Sequence, residues 1–137
     1  MKKFDILPHT ADGKFRAYGK TLEEKFSNAL LAMFSFMFNT GKVKPKLKKE
    51  IKVKGKDESA LLYNWLEEFL YLLDTDSFIP CKTEKMKITK TEKGFELSAT
   101  VLGDKMNEKY ESVGSVKAVT YAQMEVTEKY VQVVVDL

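Results

Sequence analysis

The sequence predicts an α+β fold: a single domain over residues 1–137 in which two helices pack on mostly antiparallel β-sheet. Three observations carry this reading. Two segments repeat apolar residues with the helical period, and several shorter ones alternate polar and apolar residues as half-buried strands do. The third is size, because 137 residues are the usual length of one domain and too few for two. With 44% apolar residues, nine Phe, six Tyr and one Trp, the chain has ample material for a core. Only seven Gly and three Pro exclude collagen-like and low-complexity classes.

Phe4-Asp5-Ile6-Leu7 is short and apolar and stops at Pro8, as a strand would. Lys14–Tyr18 alternates and ends at Gly19, which predicts a second strand with one buried face. Thr21 and Glu24 form a T-x-x-E capping box that opens the first helix. Leu22, Phe26, Ala29, Leu30, Met33, Phe34, Met37 and Phe38 continue it as a buried stripe, with Asn39-Thr40-Gly41 as its expected C-terminal cap. Ile51 and Val53 alternate with Lys52 and Lys54 in a half-exposed strand. Asp57 or Ser59 can cap a second helix carrying Leu61, Leu62, Trp65, Leu66, Phe69, Leu72 and Leu73, which ends at Asp74–Ser77. Met86–Thr91 and Phe95–Val101 flank Glu92-Lys93-Gly94 as a hairpin. A polar loop is expected from Gly103 to Gly114, followed by strands over Ser115–Val126 and Tyr130–Asp136 around Thr127-Glu128-Lys129.

Composition excludes several function classes. The lone Cys81 leaves no disulfide framework and no Cys-rich zinc site. A Lys-rich start without an apolar core segment, together with that single Cys, points to a cytoplasmic protein. No stretch has the roughly 18 apolar residues of a membrane span. The net charge of +3 is weak, and Arg16 is the only arginine, which disfavours sequence-specific base readout. One histidine leaves a single candidate base for triad chemistry, and no P-loop, GxGxxG or HExxH motif occurs.

Four features could carry chemistry. Lys42–Lys56 holds eight lysines in fifteen residues. It reads either as an RNA or phosphate surface or as an edge strand whose lysines oppose aggregation; no interleaved aromatic favours the second. Asp5, Asp12, Asp74, Asp76, Asp104 and Asp136 stand in or beside expected turns, where carboxylates can hold a hard cation or simply face water. Asp12-Gly13 has the form of an Asx turn. His9, after Pro8, is a turn histidine, a metal ligand or a general base, and Cys81 a small, partly buried side chain. From the residues alone, a metal or phosphate site stays open, and with it a metal-dependent hydrolase.

His9-Thr10-Ala11-Asp12 followed by Arg16-Ala17-Tyr18-Gly19-Lys20-Thr21-Leu22-Glu23-Glu24 resembles the N-terminal signature of the archease family. The helix Ser59–Leu73, Val116–Tyr121 and the terminal Val133-Val134-Val135-Asp136-Leu137 agree with it in order and spacing, so the resemblance spans essentially the whole chain. It implies an archease-like fold and a protein cofactor, not an enzyme. Its partner would be the RtcB-type, GTP-dependent RNA ligase of tRNA splicing. The cofactor would promote guanylylation of the ligase's active-site histidine and hence repeated turnover, and could broaden the nucleotide accepted. The resemblance further implies a divalent cation, calcium first, with magnesium or manganese as alternatives. Its ligands would be Asp12 and Asp136, with a backbone or terminal oxygen from Leu137. His9 would support the Asp12 turn and Lys117 would face nucleotide phosphate or a site carboxylate; no catalytic residue is implied. Indirect or transient tRNA or GTP contact and no membrane partner complete the expectation. The alternative function is a general RNA-binding module using Lys42–Lys56. Two departures from the family pattern stand at the site. Pro8 replaces an acidic residue, and Gly13-Lys14 replaces an apolar one, which would loosen the turn and set a cation beside the ligand.

Overall fold

A computed structural model describes residues 2–9 and 12–137. The order of elements is β1 (Phe4–Leu7), β2 (Gly13–Tyr18), α1 (Leu22–Ser35), a 3-10 turn (Thr40–Lys42), β3 (Leu47–Gly55), α2 (Glu58–Asp76), β4 (Phe78–Thr91), β5 (Gly94–Lys105), β6 (Ala118–Val126) and β7 (Tyr130–Asp136). These strands form a four-stranded sheet in the order β1-β2-β7-β6 and a three-stranded sheet in the order β3-β5-β4, every pair antiparallel. The expected α+β architecture is the one observed.

The helices join the sheets through one contiguous core. Trp65 on α2 is fully buried, meets Phe69 edge-on at 4.7 Å, and donates its indole N–H to the Phe26 carbonyl of α1 at 2.9 Å. A buried indole needs such an acceptor, so this bond fixes how the two helices meet. Both N-termini are capped as short polar side chains cap helices: Thr21 Oγ1 accepts from Glu24 N at 3.1 Å, and Asp57 Oδ1 accepts from Ala60 N at 2.8 Å. Asp57, not Ser59, is therefore the cap of α2.

Four boundaries differ from expectation. Helix α1 ends at Ser35 with Phe36 as its cap, short of Asn39–Gly41. Met37 and Phe38 stay buried, which prolongs the apolar stripe in the sequence after the helix has stopped. The Met37 carbonyl, freed from the helix, accepts from Val113 N at 2.8 Å, and Asn39 caps the separate 3-10 turn. Strand β4 begins at Phe78 and runs through Pro80, with register breaks at Pro80/Lys82 and Glu84/Lys87. It tolerates proline because it is an edge strand and breaks register there. Strand β5 continues through Gly103 to Lys105, into the expected loop. A Cβ on Gly103 would lie 2.0 Å from the Ile79 carbonyl oxygen, so close strand approach demands glycine here. Finally, β6 starts at Ala118 and not at Ser115, and four residues, Tyr121–Met124, stand opposite Val133 alone.

Candidate functional site

The first residues of β2, the last of β7 and the first of β6 meet at one corner of the four-stranded sheet. Gly13 pairs with Val135 at the end of the β2–β7 ladder, so Asp12 and Asp136 are the next residues outward on adjacent strands. Such strands run about 4.8 Å apart, within which two aspartates can reach one ion. Asp136 pairs with Ala118 on its other side, and its carbonyl accepts from Lys117 N at 2.7 Å. The backbone of Lys117 thus pins the end of β7, while its side chain is exposed. Asp136 and Leu137 are exposed as well. His9 Nδ1 is 3.8 Å from Asp12 Oδ2, close enough for a charge interaction when protonated and too far for a hydrogen bond. Thr10 and Ala11 of the motif lie outside the described residues.

Gly13 corrects one expectation. It opens a strand and does not belong to an Asx turn, and it is buried against the Phe36 ring and Val135. A Cβ there would stand 2.8 Å from Phe36 Cζ. Close packing under the corner, and not a looser turn, accounts for this glycine.

Along β2, Gly13, Phe15 and Ala17 are buried, so alternation sets Asp12, Lys14, Arg16 and Tyr18 on the other face. A polar network covers that face. Lys14 Nζ donates to Gln123 Oε1 at 2.8 Å, and Arg16 Nε donates to Gln132 Oε1 at 2.9 Å while its guanidinium lies 4.2 Å from the Tyr130 ring centre. Gln132 Nε2 donates in turn to the Gln123 carbonyl at 2.8 Å. Gln123 has φ 53° within the β6 bulge, which aims both of its acceptors back at the sheet. Glu67 of α2 accepts from Val119 N at 2.7 Å and caps the free edge of β6. Sequence reasoning missed Gln123, Gln132 and Glu67. Their partners are set by strand pairing and helix packing, for which the local sequence carries no signal.

Of the remaining acidic candidates, Asp74 is exposed in the last turn of α2, and the other three are committed elsewhere. Asp5 accepts from Tyr18 Oη at 2.7 Å, and that bond, with Lys2 beside it, holds the carboxyl below its ordinary range. Asp76 accepts from Lys49 Nζ at 2.6 Å and is lowered by it, tying the end of α2 to β3. Asp104 accepts from Tyr110 Oη at 2.6 Å and from Lys105 N, and Tyr110 is the main cause of its lowered pKa. Cys81 is a free, half-buried thiol pushed up by burial and then by the Asp104 charge, the opposite of an activated nucleophile. Among the described residues no three His, Cys, Asp or Glu side chains form a metal-holding group. Asp12 and Asp136 are a pair of hard oxygen donors, and Asp136 has no side-chain partner among the described residues. That chemistry fits calcium, magnesium or manganese, each of which completes its shell with backbone oxygens, water or phosphate. Among those residues, too, no helix is long and apolar enough to cross a membrane.

Fold and corner together define a small α+β protein with a carboxylate pair where three strands of one sheet converge. The model of the Archease protein family (MTH1598/TM1083) matches residues 4–137. Protein archease from Pyrococcus abyssi is 41% identical over 127 residues, covering 92% of this chain and 89% of that one. Protein archease from Methanothermobacter thermautotrophicus is 40% identical over 129 residues, covering 94% and 91%. The solution structure of Methanobacterium thermoautotrophicum protein 1598 matches over 100% of both chains with a TM-score of 0.83 and 34% identity. This chain belongs to the archease family.

Proposed function

We propose that this protein is an accessory factor of an RtcB-type RNA ligase in cytoplasmic tRNA splicing. It promotes guanylylation of the ligase and thereby multiple turnover, and it uses a divalent cation, calcium first, bound by Asp12 and Asp136. Membership of the archease family is the observation that carries this reading. The corner geometry supports its metal component. Two carboxylates and an oxygen of Leu137 supply three donors, whereas a hard cation takes six or more, so the shell is finished by water, phosphate or a partner group. When bound, such an ion neutralises and orients phosphate oxygens. His9 supports the Asp12 carboxylate, and the exposed Lys117 ammonium adds positive charge for an incoming anion. Contact with GTP or tRNA is indirect or transient on this reading.

The test is a multiple-turnover ligation assay with an active ligase, GTP and divalent metal, comparing no addition, the parent protein and the Asp12→Ala/Asp136→Ala variant. The parent should convert a stalled single turnover into many, and the variant should not. Calcium titration by calorimetry should show one site in the parent and none in the variant. Unchanged turnover with the parent would sink the accessory-factor reading; full activation by the folded variant would sink the cation's role alone.

A further inference from the structure

The lysine-rich segment does not form one surface. Lys49 turns inward to Asp76, its ammonium 5.9 Å from the Phe78 ring centre, while Lys48, Lys52 and Lys54 are exposed on the opposite face of β3. Strand pairing brings further lysines to that face from outside the segment. Lys52, Ser98 and Lys87 form one row across the three strands; Lys54, Glu96 and Thr89 flank it on one side and Glu50, Thr100 and Glu84 on the other, where Thr100 Oγ1 donates to the Glu50 carboxylate; Lys48, Leu102 and Lys82 lie beyond. A groove of about 640 Å³ runs among Lys52, Lys54, Lys87, Thr89, Glu96 and Ser98. It adjoins, through Lys54 and Glu96, a hollow of about 740 Å³ that includes Lys56 and Lys93. Among the described residues, no carboxylate lies within ion-pair distance of Lys52 or Lys87, and Lys54–Glu96 at 3.5 Å is the ion pair on this face.

Edge protection explains lysines on a single outer strand. The same protection extends to Lys87 on the other outer strand, but it does not require the ammonium groups of Lys52 and Lys87 to stand without a carboxylate partner on either side of a small hydroxyl residue of the middle strand. At about 4.8 Å per strand, those groups stand over a floor roughly 10 Å wide, which their flexible stems can close around an anion. A protein partner would need apolar anchors at the centre of its contact, and Leu102 is the one apolar side chain in these rows. These rows contain no arginine and no aromatic side chain to read bases, and Phe95 of the adjoining hollow is a single ring. We infer that the open face of the three-stranded sheet binds the phosphate backbone of a nucleic-acid strand without base readout, through Lys52, Lys54 and Lys87. The inference is independent of the cation site on the other sheet.

The experiment is fluorescence anisotropy of a labelled oligouridylate titrated with protein across a range of salt. Three lysine–phosphate contacts give a slope of log K on log salt of about −2, so affinity falls about 100-fold per tenfold rise in salt. Lys52→Ala/Lys54→Ala/Lys87→Ala should abolish binding at low salt with the melting temperature unchanged, because all three side chains are exposed. Lys42→Ala/Lys44→Ala/Lys46→Ala, which removes equal charge from the preceding loop, should bind as the parent does. The inference is overturned if both triple variants lose affinity equally, since binding then follows net charge. It is overturned too if the parent ignores oligouridylate at low salt, or binds oligoglutamate as tightly, which would mark an acidic protein surface as the partner.

Discussion

Replacing Lys14 by methionine removes one positive charge from the strand face that carries Asp12 while keeping most of the apolar stem. Lys14 is two residues from Asp12 on that face, about 7 Å along the strand. Its ammonium is drawn across β7 toward Gln123 on β6, to which it donates at 2.8 Å. A divalent ion at the corner would therefore feel a unit charge at about 8 Å, a repulsion of about 1 kcal/mol in water before screening. Physiological salt, with a Debye length near 8 Å, reduces this severalfold. Lys14→Met should tighten calcium binding about twofold at physiological salt and about fivefold at low salt, measured by calorimetric titration. Gln123→Ala should do the reverse, because it frees the ammonium to approach the carboxylates, and the double variant should bind like Lys14→Met alone. If Lys14→Met leaves low-salt affinity unchanged or weaker, the electrostatic account of this corner fails.

Two further outcomes follow from the packing and the charge network. Gly103→Ala sets a Cβ 2.0 Å from the Ile79 carbonyl oxygen and 2.9 Å from Phe78 Cζ, so β4 must lift away with two fully buried side chains. The cost is about 3 kcal/mol, seen as a melting temperature about 10 °C lower; an unchanged melting temperature would contradict the close approach. Asp104 is held below its ordinary value near 3.8, chiefly by Tyr110, so its contribution to stability is complete above that value and is lost as pH falls through the depressed one. Tyr110→Phe should flatten part of the rise of melting temperature with pH below about pH 4; acid sensitivity equal to the parent's would remove this pair as a source.

Elements whose signals are local can be read from the residues in order. Thr21 and Glu24 announce the start of α1 because a capping bond closes within one turn. Glu92-Lys93-Gly94 announces its hairpin because the turn needs a residue at positive φ, and Gly94 has φ 143°. Family resemblance, carried by short motifs, named Asp12 and Asp136 without showing that they could meet. Tertiary structure alone decided the rest. Helix α1 stops where Val113 takes up the Met37 carbonyl, and the glycines at 13 and 103 answer to Phe36 and Ile79. The β2–β7 ladder carries two aspartates, far apart in the chain, to one corner, and the β3-β5-β4 register parts Lys49 from Lys52 and joins the latter to Lys87. The physical reason is common to all of these. A cap or a turn is satisfied by its immediate neighbours, whereas the residue a side chain faces across a sheet depends on which distant strand supplies the backbone hydrogen bonds, and in what register.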